Sequence, residues 1–237
     1  MNNVSQLESL AENDTSAKVK SGGTDYVRTI DLVIYSATAS VFILDVLTRT
    51  SPFPLVQQLF DVTKEGNYPA WIASVLWFAV AVACAACSHL ERKYHHKPFN
   101  PRMWGLMVVA FAYASLDDVA HIHERLYLGE IHWQIFYAPL FALVGIFGGK
   151  LLWSRLGKLK GGRVLLLATV GCYVISLLCE SVQQNLSMFD ALYRHRFLQK
   201  WHLCELTEEV VELLGTAFFI SALTRYYSLI WKQKTSP

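Results

Sequence analysis

The chain has 237 residues, 53% of them hydrophobic and only 17% charged, with a mean hydropathy of +0.29. That balance excludes an ordinary soluble domain and fits a polytopic membrane protein. The net charge is +2, and Lys and Arg sit in short clusters between apolar runs, so no nucleic acid is expected among its partners.

The segment 1–24 is polar, rich in Ser, Asn, Glu and Lys, and has no apolar run of the kind a cleaved signal needs; it is expected to be a disordered tail. A transmembrane domain is expected over 25–231, followed by a short cytoplasmic tail at 232–237. Within it, stretches at 29–48, 69–89, 103–124, 132–153, 163–186 and 203–227 are each about 20 residues long, enough to cross a bilayer as helices. The expected fold class is therefore all-α, a six-transmembrane-helix bundle. The third, fifth and sixth stretches carry acids in one half, where a strict hydropathy window would trim them. Trp71, Trp77, Trp104, Trp133, Trp153, Trp201 and Trp231 mostly fall near span ends, where indoles prefer the headgroup zone. Ala81, Ala85 and Ala86 in the second span, and Gly145, Gly148 and Gly149 in the fourth, are expected to let helices approach closely. Cys84 and Cys87 form a C-x-x-C in an Ala-rich helix with no second pair, and packing is the simpler reading than metal or redox chemistry. Cys179 and Cys204 are placed to approach each other near the polar cluster described next.

Basic residues set the orientation. Arg92, Lys93, Lys97 and Arg102 follow the second span, and Lys150, Arg155, Lys158, Lys160 and Arg163 follow the fourth. With six crossings these lie on one side with Lys18, Lys20, Arg28, Arg225, Lys232 and Lys234, so both termini are expected to be cytoplasmic.

Depth along each helix locates the acids. At about 1.5 Å of rise per residue, Asp117 lies about 22 Å above Arg102, and His121 about 28 Å. Glu180 lies about 25 Å above Arg163, and Asp45 about 25 Å above Arg28. Counting back from Arg225, Glu212, Glu209 and Glu205 lie at about 20, 24 and 30 Å. Four helices thus bring acids to one layer in the outer half of the membrane. Around the helix axis, Asp117, Asp118, His121 and Glu124 share an arc of roughly 120°, and His202, Glu205, Glu208, Glu209 and Glu212 share a comparable one. Tyr173, Ser176, Glu180, Gln183 and Gln184 make a polar face on the fifth helix. Lipid offers such stripes no partner, so they are expected to face each other.

So many carboxylates in a low-dielectric pocket require shared protons or a cation. Asp118-x-x-His121, His121-x-x-Glu124 and His202-x-x-Glu205 each place an imidazole and a carboxylate one turn apart, as in helical-bundle metal sites. The expected cofactor is one or two divalent ions of iron, manganese or zinc, bound by Asp117, His121 or His123, Glu124, Glu180, His202, Glu205 and Glu209. Glu212 and Asp118 are the expected general bases in catalysis, and Arg194 and Arg196 could hold an anionic headgroup. The expected partners are membrane lipid and a hydrophobic substrate. Three functions compete: a metal-dependent membrane enzyme, hydrolase or oxidoreductase; a cation or proton transporter using the same acids; and an accessory subunit whose acids pair with a basic partner helix. A transporter should continue its polar path inward, where only Asp31, Ser36, Ser40 and Tyr113 are found. A bland alternative for Glu205, Glu208 and Glu209 is a favourable position at a helix N-terminus.

Ser115-Leu116-Asp117-Asp118, His123-Glu124, Glu180, and Glu208-Glu209 with Glu212 and Gly215 resemble the segments of an uncharacterised group of bacterial six-span membrane proteins. Those carry S-L-D-[DE]-x4-H-E and E-E-x-x-E-x-x-G helices. The resemblance covers about the C-terminal two-thirds, implies a bacterial inner-membrane location, and favours His123 over His121 as the group's histidine. Asp118 stands where Glu is more usual. The membrane zinc amidases of the ceramidase type are similar in span count, but their H-x-x-x-H is missing from the last span here.

Overall fold

The computed structural model describes the backbone at residues 3–61, 64, 66–94, 100–120, 122, 139, 142–157, 159–184 and 203–235, and side chains from residue 25 onward except at 181–184, 203–205 and 234–235. Among these residues the protein is all helical. In chain order come α1 (Asn3–Thr48), α2 (Pro54–Phe60), α3 (Tyr68–Lys93), α4 (Pro101–Ala120), a π-helical turn (Val144–Gly148), α5 (Gly149–Leu156), α6 (Gly162–Gln184) and α7 (Leu203–Thr235). Among the described residues, four helices are long and apolar enough to cross a membrane: Asp25–Thr48, Tyr68–Lys93, Pro101–Ala120 and Gly162–Glu180. α1 starts well before its apolar part, inside the segment expected to be a tail; that segment has no proline to stop a helix.

Helix starts and turns follow local chemistry. Asn67 caps α3 by accepting from the Ala70 amide at 3.3 Å, and Pro69 sits in the first turn, where its missing N–H costs nothing. The Asn67 amide group also donates to the carbonyls of Asp61 (2.5 Å) and Gln58 (3.3 Å), and Gln57 donates to those of Ser51 (2.8 Å) and Arg49 (3.2 Å). The short α2 is thereby sewn to the ends of α1 and α3. Gly66 and Gly161 take φ of 71° and 77°, a left-handed conformation that favours glycine in these two turns.

α7 packs against α6, α3 and α1, while α4 packs on α3. Leu213, Ala217, Phe219, Ile220, Ala222, Leu223, Tyr226 and Ile230 of α7 are all buried, as are Thr216, Ser221 and Thr224. A helix so largely covered needs no amphipathic stripe, and two of its threonines turn back onto its own carbonyls, Thr216 to Glu212 at 2.9 Å and Thr224 to Ile220 at 2.8 Å. The other long helices leave apolar faces open: Val75, Phe78 and Val82 on α3, Leu116 on α4, and Leu167, Val174 and Leu178 on α6. Lipid is the solvent that suits such faces.

Two expectations about packing change. Of Gly145, Gly148 and Gly149, only Gly148 meets a neighbour among the described residues: a Cβ there would lie 3.0 Å from Met107 Sδ of α4. Trp104 is not an interface anchor, because it is wholly buried, and Trp77 is nearly so. Cys84 and Cys87 are buried free thiols, and Cys87 Sγ lies 3.6 Å from the Leu223 carbonyl. In the expected fourth span, only residues 139 and 142–153 lie within the described residues.

Candidate functional site

Asp117 is buried near the C-terminal end of α4, and Asp118 beside it is half-buried, while Leu116 and Val119 point outward. Ser115, one residue earlier, ties α4 to α3: the Ser74 hydroxyl donates to the Ser115 carbonyl at 2.8 Å, with the two hydroxyls 3.1 Å apart. On α6, Ser176 is buried and Tyr173 and Glu180 are half-buried, whereas Val174, Ile175, Leu177 and Leu178 are exposed. Glu208, Glu209 and Glu212 on α7 are half-buried. Each of these acids engages a neighbouring group. The polar faces read from helical spacing therefore turn away from the apolar exterior wherever they are described.

Tyr173 connects them. Its hydroxyl lies 2.8 Å from Thr216 Oγ1, and the Thr216 proton is committed to the Glu212 carbonyl at 2.9 Å, so the tyrosine is the donor. The carboxylates of Asp118 (α4) and Glu212 (α7) both lie within electrostatic range of that hydroxyl. Below it an aromatic floor closes off the core. The Tyr173 and Phe111 rings each stack on Trp77 (centroids 5.6 Å apart, planes 15°), and Phe219 meets Phe111 edge-on at 5.3 Å. α6 and α7 approach closely here because Gly215 leaves room; a Cβ at that position would lie 2.9 Å from the Cys172 Cβ. A pocket of about 190 Å³ opens at the same end between α3 and α4, lined by Gly66, Ala70, Trp71, Asp118 and Val119.

Asp45 belongs to this layer by depth but not as a lone acid. It is almost fully buried and bonded to Arg49 Nε at 2.8 Å, one turn along α1. The i,i+4 spacing of Asp45 and Arg49 was the signal for this pair. At the other end, Asp31 accepts from Arg225 at 2.9 Å and from the Ser221 hydroxyl at 2.6 Å, joining α1 to α7. Sequence reasoning missed Glu91 altogether and counted Arg155 as a loop anchor. Both are buried, with Arg155 Nε 2.7 Å from Glu91 Oε1. Their only trace in sequence is an acid opening an otherwise basic run, Glu91-Arg92-Lys93.

Of the expected ligands, Asp117, Glu180 and Glu209 are described, as are the expected bases Asp118 and Glu212. His121, His123, Glu124, His202 and the Glu205 side chain lie outside the described residues, together with Arg194 and Arg196. Among the described residues, no three His, Cys, Asp or Glu side chains are grouped so as to hold a metal ion. The described acids alone are thus not a complete coordination shell.

A family profile described as a domain of unknown function (DUF8692) matches residues 32–226, and the chain belongs to that family. No curated protein and no solved structure matches it.

Proposed function

We propose that this family member is a metal-dependent integral membrane enzyme of six spanning helices, with both termini cytoplasmic, in the inner membrane of a bacterium. α7 supports a further crossing beyond the four apolar helices, since its 33 residues reach about 50 Å at 1.5 Å each. It misses the purely apolar standard because Glu208, Glu209 and Glu212 lie towards one end and Arg225 towards the other. The π-helical turn and α5 supply the end of another.

The observation that carries the functional reading is the setting of Tyr173: its hydroxyl is bonded to Thr216 of α7, carboxylates of α4 and α7 lie within electrostatic range of it, and its ring stacks on Trp77. Negative charge gathered in such surroundings calls for a cation. Asp117, Glu180 and Glu209, completed by His121 or His123, Glu124, His202 and Glu205, would hold one or two divalent ions of iron, manganese or zinc. Such an ion would lower the pKa of a water there. Glu212 or Asp118 would serve as the base for its proton, and Tyr173, with its donor fixed on Thr216, holds α6 and α7 in register at the site. The pocket beside Asp118, walled by Trp71 and Val119, gives a lipid or other hydrophobic substrate an approach from the outer half of the bilayer.

The transporter reading is weaker for a physical reason. Its path inward would pass Asp31 and Glu91, and each is held by an arginine. The enzyme reading is tested by reconstituting the protein in liposomes of defined phospholipids and following products by mass spectrometry. Product should form with wild type and vanish on chelation and in Glu180→Ala. Turnover that survives both, or no product from any lipid class, overturns it.

A further inference from the structure

The short helix α2 takes no part in the polar site, and its two sides differ in kind. The inward side is tied down. The Gln57 amide donates to the carbonyls of Arg49 and Ser51, and the Phe60 ring meets Tyr68 of α3 edge-on at 5.5 Å. The Tyr68 hydroxyl lies in turn 3.1 Å from Ser40 Oγ of α1. Outward stand Leu55 at 77% exposure, Leu59 one turn on at 50%, and Phe53 at the N-cap at 66%. No Asp, Glu, Lys or Arg occurs anywhere in 50–60. The two leucines cannot turn inward without breaking the bonds that sew α2 to the ends of α1 and α3.

The place of α2 in the chain decides which solvent this face meets. The apolar part of α1, Asp25–Thr48, covers about 36 Å at 1.5 Å per residue, against a hydrocarbon core of about 30 Å. Its last turn therefore reaches the headgroup zone, and α2 follows within six residues. The exposed apolar surface also continues through it: Ile43, Val46 and Leu47 precede it on α1, and Trp71, Val75 and Phe78 follow it on α3. Water is a poor solvent for such a face, and the boundary between headgroups and acyl chains is a good one.

We infer that α2 is an interfacial helix, with Leu55, Leu59 and Phe53 immersed in the leaflet at this end of the bundle. Its partner is the bilayer itself. The segment has no basic residue, so the attraction is hydrophobic and needs no anionic lipid. Asn67 extends the consequence to the pocket. Its side chain holds the carbonyls of Gln58 and Asp61 while it caps α3, and Gly66 beside it lines the pocket with Ala70, Trp71 and Asp118. The pocket mouth is thus tied to an immersed element, and a hydrophobic molecule reaches it from lipid. That last step rests on the reading of the pocket as a substrate approach; the immersion of α2 does not.

The test is spin labelling of Leu55→Cys and Leu59→Cys in phosphatidylcholine nanodiscs. Collisions of the nitroxide with oxygen, which partitions into lipid, are compared with collisions with a neutral nickel chelate, which stays in water. Lys64→Cys, an exposed position beyond α2, is the aqueous reference, and wild type treated alike gives the background from its own cysteines. The ratio of oxygen to chelate collisions should be about threefold or more higher at 55 and 59 than at 64, as immersion in the acyl boundary requires. Chelate access at 55 and 59 equal to that at 64 overturns the inference, because the face is then in water. Protection from both reagents also overturns it, because a second copy or another protein then covers the face. Should either variant fail to elute as a single species, Phe53→Cys is read by the same criteria. No activity enters the measurement, so the immersion of α2 and the enzymatic reading can fail apart.

Discussion

Glu91 and Asp118 are both acids near the ends of apolar helices, and their neighbours decide what each can do. Glu91 is met by a guanidinium, an indole N–H and a phenol, so its charge is satisfied within the protein. Asp118 borders a pocket and shares the field of Glu212 at Tyr173. The first arrangement contributes stability and the second is suited to binding. Glu91→Ala should cost about 3–5 kcal/mol, because it strands Arg155 in the core, whereas Tyr226→Phe should cost about 1.5–3 kcal/mol. Chemical unfolding in detergent measures both, and a Glu91→Ala loss no larger than that of Tyr226→Phe would contradict the account. These contrasts were only partly legible in the sequence. Asp117, Asp118, Glu180 and Glu212 stand out because they interrupt apolar helices on one face. Glu91 does not, because its position beside Arg92 and Lys93 reads as the start of a solvated loop, and only tertiary packing brings Arg155 to it.

At the scale of the helix, the seam between α6 and α7 positions the site. Gly215 sets their separation, since a methyl group there meets the Cys172 Cβ at 2.9 Å and the Thr169 carbonyl at 3.4 Å. Gly215→Ala should therefore destabilise by about 1–3 kcal/mol through overpacking. Gly171→Ala faces open space, and should be neutral or stabilising by up to about 1 kcal/mol. Unfolding midpoints of the two variants check the difference, and equal effects would mean that the seam is not tight. Helical periodicity was a good guide to which side of α6 faces inward, because Tyr173, Ser176 and Glu180 recur at helical spacing against Leu177 and Leu178. It could not foresee that Trp104 turns inward, because an indole near a span end suits the headgroups equally well until a buried acceptor is known. Neither could composition foresee that α7, the most acidic of the long helices in its first turns, is the one most enclosed by the others.

Among the described residues, Glu91 and Asp31 are met by arginines towards one end of the helices, Asp118 and Glu212 lie near Tyr173 towards the other, and an apolar and aromatic layer stands between. All-α architecture and membrane-length helices follow directly from hydropathy; the number of crossings does not, since α7 mixes acids with apolar turns. If six helices cross, reporters fused after residue 237 and before residue 1 should both report the cytoplasm, and a C-terminal reporter on the outer side would remove that topology. The central claim, that acids of α4, α6 and α7 form one cation chamber, is tested most directly by elemental analysis of the purified protein. Wild type should carry a stoichiometric divalent metal, and Glu180→Ala, with its fold intact, should lose most of it. Metal-free wild type, or a Glu180→Ala protein with unchanged metal content, would contradict the claim.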